Sequence, residues 1–105
     1  MTQTSTFRRI GVAEAEALLA QGGAIVYDVR DLNSYRAGHI EDARHLSGET
    51  LGDVIMATPK TAPILICCYH GNSSQEYARI LSDFGFSDVY SLDGGFEAWA
   101  NRRPR

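Results

Sequence analysis

Cysteine is nearly absent from this sequence: only Cys67 and Cys68 occur among 105 residues, and they are adjacent. Neighbouring Cα atoms sit about 3.8 Å apart across a trans peptide, below the usual disulfide range, so no structural bridge between the two is expected. On a strand, consecutive side chains point to opposite faces, which keeps the pair from holding one metal ion together. A Cys/His metal site drawing on His39, His45 or His70 is accordingly not expected. Positive charge is also scarce. Ten Lys and Arg against thirteen Asp and Glu leave a formal charge of -3, which offers no basic field for nucleic acid. Long apolar runs are missing as well: nothing approaches the length that spans a bilayer, and the opening MTQTSTFRRI has no apolar stretch of a secretory signal. A cytoplasmic protein without a membrane partner is the expectation.

Internal repeats, low-complexity segments and shifts of composition are absent too, so residues 1–105 are expected to form one domain around one core. What is present is an alternation of elements. Val12 to Gly23, VAEAEALLAQGG, is rich in Ala, Leu and Glu and closes on glycines, which predicts a helix with a C-terminal stop. Ala24 to Val29, AIVYDV, is a short β-branched and aromatic run and predicts a buried strand. A polar stretch with one or two short helical turns follows, and Ala43 to Leu46 supplies another short strand. Glu49 to Thr58 has helical spacing through Leu51, Val54 and Ile55 and is stopped by Pro59 and Pro63.

Ile64 to Cys68 is the most apolar run and predicts a central strand. Ser74 to Phe84 predicts a helix with Tyr77, Ile80, Leu81 and Phe84 on one stripe, and Gly85 in the terminating position. Asp88 to Leu92 reads as a further strand. A Gly94-Gly95 turn then leads into a helix through Phe96 and Trp99. Strands alternating with helices imply an α/β fold: a mainly parallel central sheet of about five strands with helices on both faces. Ligands of such sheets bind outside the carboxyl ends of the strands.

Cys68 stands at such an end. Tyr69, His70, Gly71, Asn72 and Ser73 form a tight loop into the next helix, and the N–H groups of a loop of that kind converge on its centre. The helix dipole adds partial positive charge there. A cysteine inside the loop is held as thiolate, its nucleophilic form, and Gly71 permits the backbone angles a tight loop needs. Cys67, one residue back, falls on the opposite pleat and in the core. From these residues alone, two inert core cysteines remain the alternative.

The segment CYHGNSSQEYARILSDFGFSDVYSLDGGFEAW resembles the active-site half of rhodanese-like domains: a cysteine, a short loop, a helix, a strand, then Gly-Gly-aromatic and Trp. Upstream, DVRDLNSYRAGHIEDA is similar to the family's other signature, with Asp28, Arg30, Tyr35, Gly38, His39, Ile40 and Ala43 in register. Within the family, the small single-domain thiosulfate sulfurtransferases of the bacterial glycerol-phosphate regulon share the CYHGNSS loop. The resemblance implies a cofactor-free enzyme of the thiosulfate:cyanide type, in which Cys68 takes the outer sulfur of thiosulfate as a persulfide. Tyr69, His70, Gly71, Asn72 and Ser73 would bind substrate and persulfide. Cyanide is the assay acceptor it implies, and a thioredoxin or another thiol a physiological one. No surface run is apolar enough to name an interface, so a monomer or weak homodimer is expected. Two other functions stay open: a persulfide relay or sulfur carrier serving a protein partner, and a non-catalytic binding module.

Three departures qualify the resemblance. Many family loops carry arginine at Ser73 and some a lysine at His70. Without that cation thiosulfate is expected to bind weakly, through backbone N–H groups and the Ser73 hydroxyl. Phosphatase relatives need arginine six positions after the cysteine, where this chain has Ser74, so phosphatase or arsenate reductase chemistry is disfavoured. The family's usual glycine is replaced by Asp42. Asp28, Arg30 and His39 invite a catalytic-triad interpretation, but framework roles are expected for them. Phe96 and Trp99 are expected in the core or a pocket wall, and Arg102, Arg103 and Arg105 in a solvated tail.

Overall fold

Five strands and five helices alternate in the computed structural model, which describes residues 7–102. The strands are β1 (Arg8–Ile10), β2 (Ile25–Asp28), β3 (Arg44–His45), β4 (Ile64–Cys67) and β5 (Val89–Leu92). They form one sheet in the order β1-β5-β4-β2-β3, with every neighbouring pair parallel. The helices are α1 (Val12–Ala20), α2 (Leu32–Ala37), α3 (Leu51–Ala57), α4 (Ser73–Asp83) and α5 (Gly95–Ala100).

β4 is central, and all four of its residues are buried. Its side chains alternate between two cores. Leu65 and Cys67 pack with Ile10, Val26 and Leu92 against α1 and α5, whereas Ile64 and Ile66 pack with Tyr27 and Val89 against α3 and α4. Helices therefore cover both faces, as an uninterrupted apolar strand requires. Each fully buried Ile or Leu contributes on the order of 1.5–3 kcal/mol, so β4 is the anchor of the fold.

Two features differ from expectation. β1, only three residues long, has no apolar alternation of its own and exists by pairing Arg8, Arg9 and Ile10 with Tyr90, Ser91 and Leu92. Phe84 is 58% exposed rather than on the buried stripe. α4 ends at Asp83, Gly85 takes φ 100°, and the chain reversal puts Phe86 into the core instead.

α2, which follows β2, lies on the α1/α5 side through Tyr35, whereas α4, which follows β4, lies on the other side. β2 and β4 are neighbours in register, Asp28 opposite Cys67. Their carboxyl ends thus open a crevice where successive connections diverge to opposite faces, the position at which α/β sheets accept ligands. Cys68 is the first residue beyond β4, at this crevice.

Candidate active site

The loop after β4 takes its shape from α5. The N–H of Phe96 donates to the Cys68 carbonyl at 2.7 Å and that of Glu97 to the Tyr69 carbonyl at 3.2 Å. Such close approach requires glycine at position 95, where φ is 60° and a Cβ would lie 2.4 Å from the Cys68 oxygen. Gly71 is constrained likewise: its φ is 100°, and a Cβ would lie 3.0 Å from the Gly94 nitrogen. With the first carbonyls turned outward to α5, the following N–H groups are free to face the loop's centre.

Cys68 Sγ occupies that centre. The Gly71 N–H donates to it at 3.1 Å and Ser74 Oγ lies at 3.3 Å. Cys68 is 4% exposed, and this burial opposes ionisation. The Ser74 hydroxyl and the backbone N–H groups of Ser74, Gly71 and His70 outweigh it, so the thiol's pKa falls below its ordinary value. The first turn of α4 supplies positive dipole potential at the same place. Cys67 behaves oppositely: burial first, with the neighbouring Asp28 charge adding to it, pushes its thiol up to about 12. Its Sγ points to the other core and donates to the Cys68 carbonyl at 3.5 Å. Two adjacent thiols are thereby made chemically unlike, one poised to ionise and one held protonated.

The remaining loop residues lead away from sulfur. Tyr69 donates its hydroxyl to Asp31, whose carboxyl is lowered to about 2 first by that bond and then by those from Ser34. His70 Nδ1 lies 2.9 Å from Glu97 Oε1, so the loop's one ionisable nitrogen already has an anionic neighbour. Asn72 and Ser73 are exposed, and the hydroxyl beside Sγ belongs to Ser74 rather than Ser73. Ser74 in turn meets Ser91 Oγ at 2.8 Å, both serines being fully buried. Ser74, Ser91, Asp31 and Glu97 were not singled out as part of the site. Local spacing carries no sign of them, because each contact except the loop's own Ser74 is made across the sheet or between separate elements.

Asp28 and Arg30 form a buried ion pair beneath the rim. Arg30 Nη2 donates to Asp28 Oδ2 at 2.7 Å and to the Gly38 carbonyl at 2.6 Å, while its guanidinium lies 4.1 Å from the centre of the Phe96 ring. His39 stacks on Tyr35 at the surface, and Trp99 lies in the core. Arg102 is not a free tail: it pairs with Glu16 at 2.9 Å and lies over Trp99, whereas Arg103 and Arg105 fall outside the described residues. Among the described residues no group of three or more His, Cys, Asp or Glu is placed to hold a metal ion, and no helix is long and apolar enough to cross a membrane.

The rhodanese-like domain family matches residues 11–102. This chain is a rhodanese-like domain. Proteins named thiosulfate sulfurtransferase GlpE are similar to it: that of Pseudomonas fluorescens (strain SBW25) is 51% identical over 100 residues, covering 95% of this chain and 91% of the relative. That of Pseudomonas putida (strain GB-1) is 50% identical with the same coverage. Among solved structures, a rhodanese-like domain protein from Staphylococcus aureus superposes with TM-score 0.78 at 26% identity, covering 89% of this chain and 91% of that one. The human single-domain sulfurtransferase TSTD1 shares the fold at TM-score 0.82 and 18% identity, with 94% of this chain and 100% of that one covered. In this rhodanese-like domain the family resemblance rests on the loop and the Gly-Gly-aromatic turn, the two segments that meet where the Phe96 N–H donates to the Cys68 carbonyl.

Proposed function

We propose that this chain is a thiosulfate sulfurtransferase in which Cys68 is the nucleophile and Tyr69 to Ser73, with Ser74, form the binding loop. The observation that carries the proposal is a sulfur ringed by N–H and hydroxyl donors, with no lysine or arginine among its hydrogen-bond partners in the described residues. Such a ring stabilises a single diffuse negative charge, as on a thiolate or a persulfide. It does not supply the bidentate cation that phosphoryl transfer calls on. The names of the GlpE relatives support the same substrate.

In the first half-reaction the Cys68 thiolate attacks the outer sulfur of thiosulfate. A new S–S bond forms, the old one breaks, and sulfite leaves with the bonding pair. In the second, the acceptor attacks the outer sulfur of the persulfide and the electron pair of the breaking S–S bond returns to Sγ. Cyanide then leaves as thiocyanate, or a protein thiol as a persulfide. Charge balances in both steps, so neither requires a cofactor. The donors that hold the thiolate also hold the persulfide, and one domain, residues 1–105, suffices, as a monomer or a weak homodimer. Because His70 is already engaged by Glu97, thiosulfate affinity depends mainly on the backbone and is weak.

Intact mass provides the test. Wild type incubated with thiosulfate gains one sulfur atom, loses it to cyanide, and Cys68→Ser gains none, whereas Cys67→Ser loads normally. Loading that depends on Cys67, or no loading at all, overturns the assignment.

A further inference from the structure

Ser91 stands where the sheet calls for an apolar side chain. It shares the β5 face of Val89 and is 0% exposed. A buried hydroxyl is costly unless partnered, and its partner is Ser74 Oγ at 2.8 Å, which is itself 3.3 Å from Cys68 Sγ. Sulfur and two hydroxyls form a chain in which both serines are fully buried and Cys68 alone keeps a small exposure, 4%.

Proton counting gives the chain a direction. Each serine has one hydroxyl proton, and a thiolate has none. If Ser74 donates to Sγ, it cannot also donate to Ser91, so Ser91 must donate to Ser74. If Ser91 is removed, the Ser74 hydroxyl is left to turn toward a carbonyl of the preceding turn, as buried helical serines do. We propose that Ser91 is a positioning residue for Cys68: by donating to Ser74 Oγ, it commits the single Ser74 proton to Sγ.

The consequence falls unequally on the two half-reactions, and for this catalytic part the inference rests on the sulfurtransferase function proposed above. In the persulfide the charge sits on the outer sulfur. As that sulfur is passed on, the bond to Sγ breaks and its electron pair returns to Sγ, where Ser74 waits. The relay therefore makes Sγ a better leaving group and favours discharge over loading. The charged and titratable groups around Cys68 are Cys67 beneath it, the Asp28–Arg30 pair after β2, Tyr69 and His70 in the loop, and Glu97 on α5. They are hydrogen-bonded elsewhere, and the chain itself contains only Cys68 and the two serines.

The test is the pH dependence of iodoacetamide alkylation at Cys68, located by fragment mass, in wild type, Ser74→Ala, Ser91→Ala and the double variant. Ser91→Ala is expected to raise the midpoint by about 0.5–1 pH unit and to slow discharge to cyanide more than loading from thiosulfate. In the Ser74→Ala background it is expected to add nothing. Ser91→Thr and Ser91→Val, equal in shape, guard against a packing artefact, and the midpoint is expected to be higher in Val than in Thr. An unchanged midpoint in Ser91→Ala, an equal shift with and without Ser74, or identical Thr and Val midpoints overturns the proposal. Alkylation reports on Cys68 whatever the sulfur donor is, so wild type that fails to load sulfur would count against the function and not against the relay.

Discussion

Replacing Asp28 with Asn tests whether the acidic and basic residues after β2 are framework or chemistry. Asp28 accepts from Arg30 Nε at 3.0 and 3.1 Å, from Nη2 at 2.7 Å and from the Arg30 backbone N–H at 3.0 Å. The two side chains are 1% and 5% exposed. A guanidinium does not give up its proton in a protein, so the variant buries a cation without its counter-charge, left with the Gly38 carbonyl and the Phe96 and Tyr69 rings. Breaking a buried pair from one side costs about 3–5 kcal/mol, and those remaining contacts place this case near the lower end, about 3 kcal/mol. At about 4–8 °C per kcal/mol for a domain of this size, Tm should fall by about 12–24 °C. Circular dichroism melts at neutral pH measure the shift. Asp28→Asn/Arg30→Met removes both charges and is expected to recover at least half of it. Because the pair supports the loop and transfers no proton, Asp28→Asn is expected to load sulfur well below its own Tm. A fall of less than about 5 °C, or a folded variant that cannot load, would refute the framework assignment.

Gly95→Ala is expected to lower Tm and sulfur loading together, because its Cβ would meet the Cys68 oxygen at 2.4 Å; the strain is about 2–4 kcal/mol, and a variant with wild-type loading contradicts it. Asp42 is the one non-glycine residue at positive φ among the described residues, 66°, so Asp42→Gly is expected to stabilise by about 0.5–1 kcal/mol in a denaturant titration, and destabilisation would show that Asp42 is not strained. Glu97→Gln removes the anion beside His70 and is expected to lower the KM for thiosulfate roughly two- to fivefold, an effect that fades with salt; a salt-independent or absent change speaks against it. The lowered Cys68 pKa makes its thiolate stabilise the fold above the ordinary thiol pKa, and that contribution is lost as pH falls through the folded value. Wild-type Tm should therefore rise relative to Cys68→Ser between neutral pH and about pH 9. Cys67, pushed up to about 12, acts in the opposite sense, and less so in Cys68→Ser, which lacks the Cys68 charge that helps to raise it.

What could be read beforehand followed the range of each interaction. β4 and the separation of its two cysteines come from a period of two and from apolar density, both local properties. The helices likewise announce themselves through composition and stops, as in α1 before Gly22 and Gly23. β1 was missed because the pattern RRI has no periodicity, and its strand character is conferred by Tyr90, Ser91 and Leu92. Phe84 was misplaced for a related reason: helical spacing cannot reveal that Gly85 turns the chain so that Phe86 displaces it from the core. At the site, the nucleophile candidate and its loop were legible, but the groups that engage them were not. Ser91 is 17 residues from Ser74, Glu97 is 27 from His70 and Asp31 is 38 from Tyr69. Only the sheet order brings them together.

The strand alternation that makes Cys67 and Cys68 unlike also governs how the protein meets oxidants. Many redox-sensing thiols keep a second cysteine within reach, so that a sulfenic acid collapses to a disulfide before it is oxidised further. Here the neighbouring thiol faces the opposite core, stays protonated and donates to the Cys68 carbonyl. A sulfenic acid on Cys68 therefore has no internal resolving partner and must wait for an external thiol. The sulfur-loaded form, which occupies the same loop, would stand between Sγ and that fate.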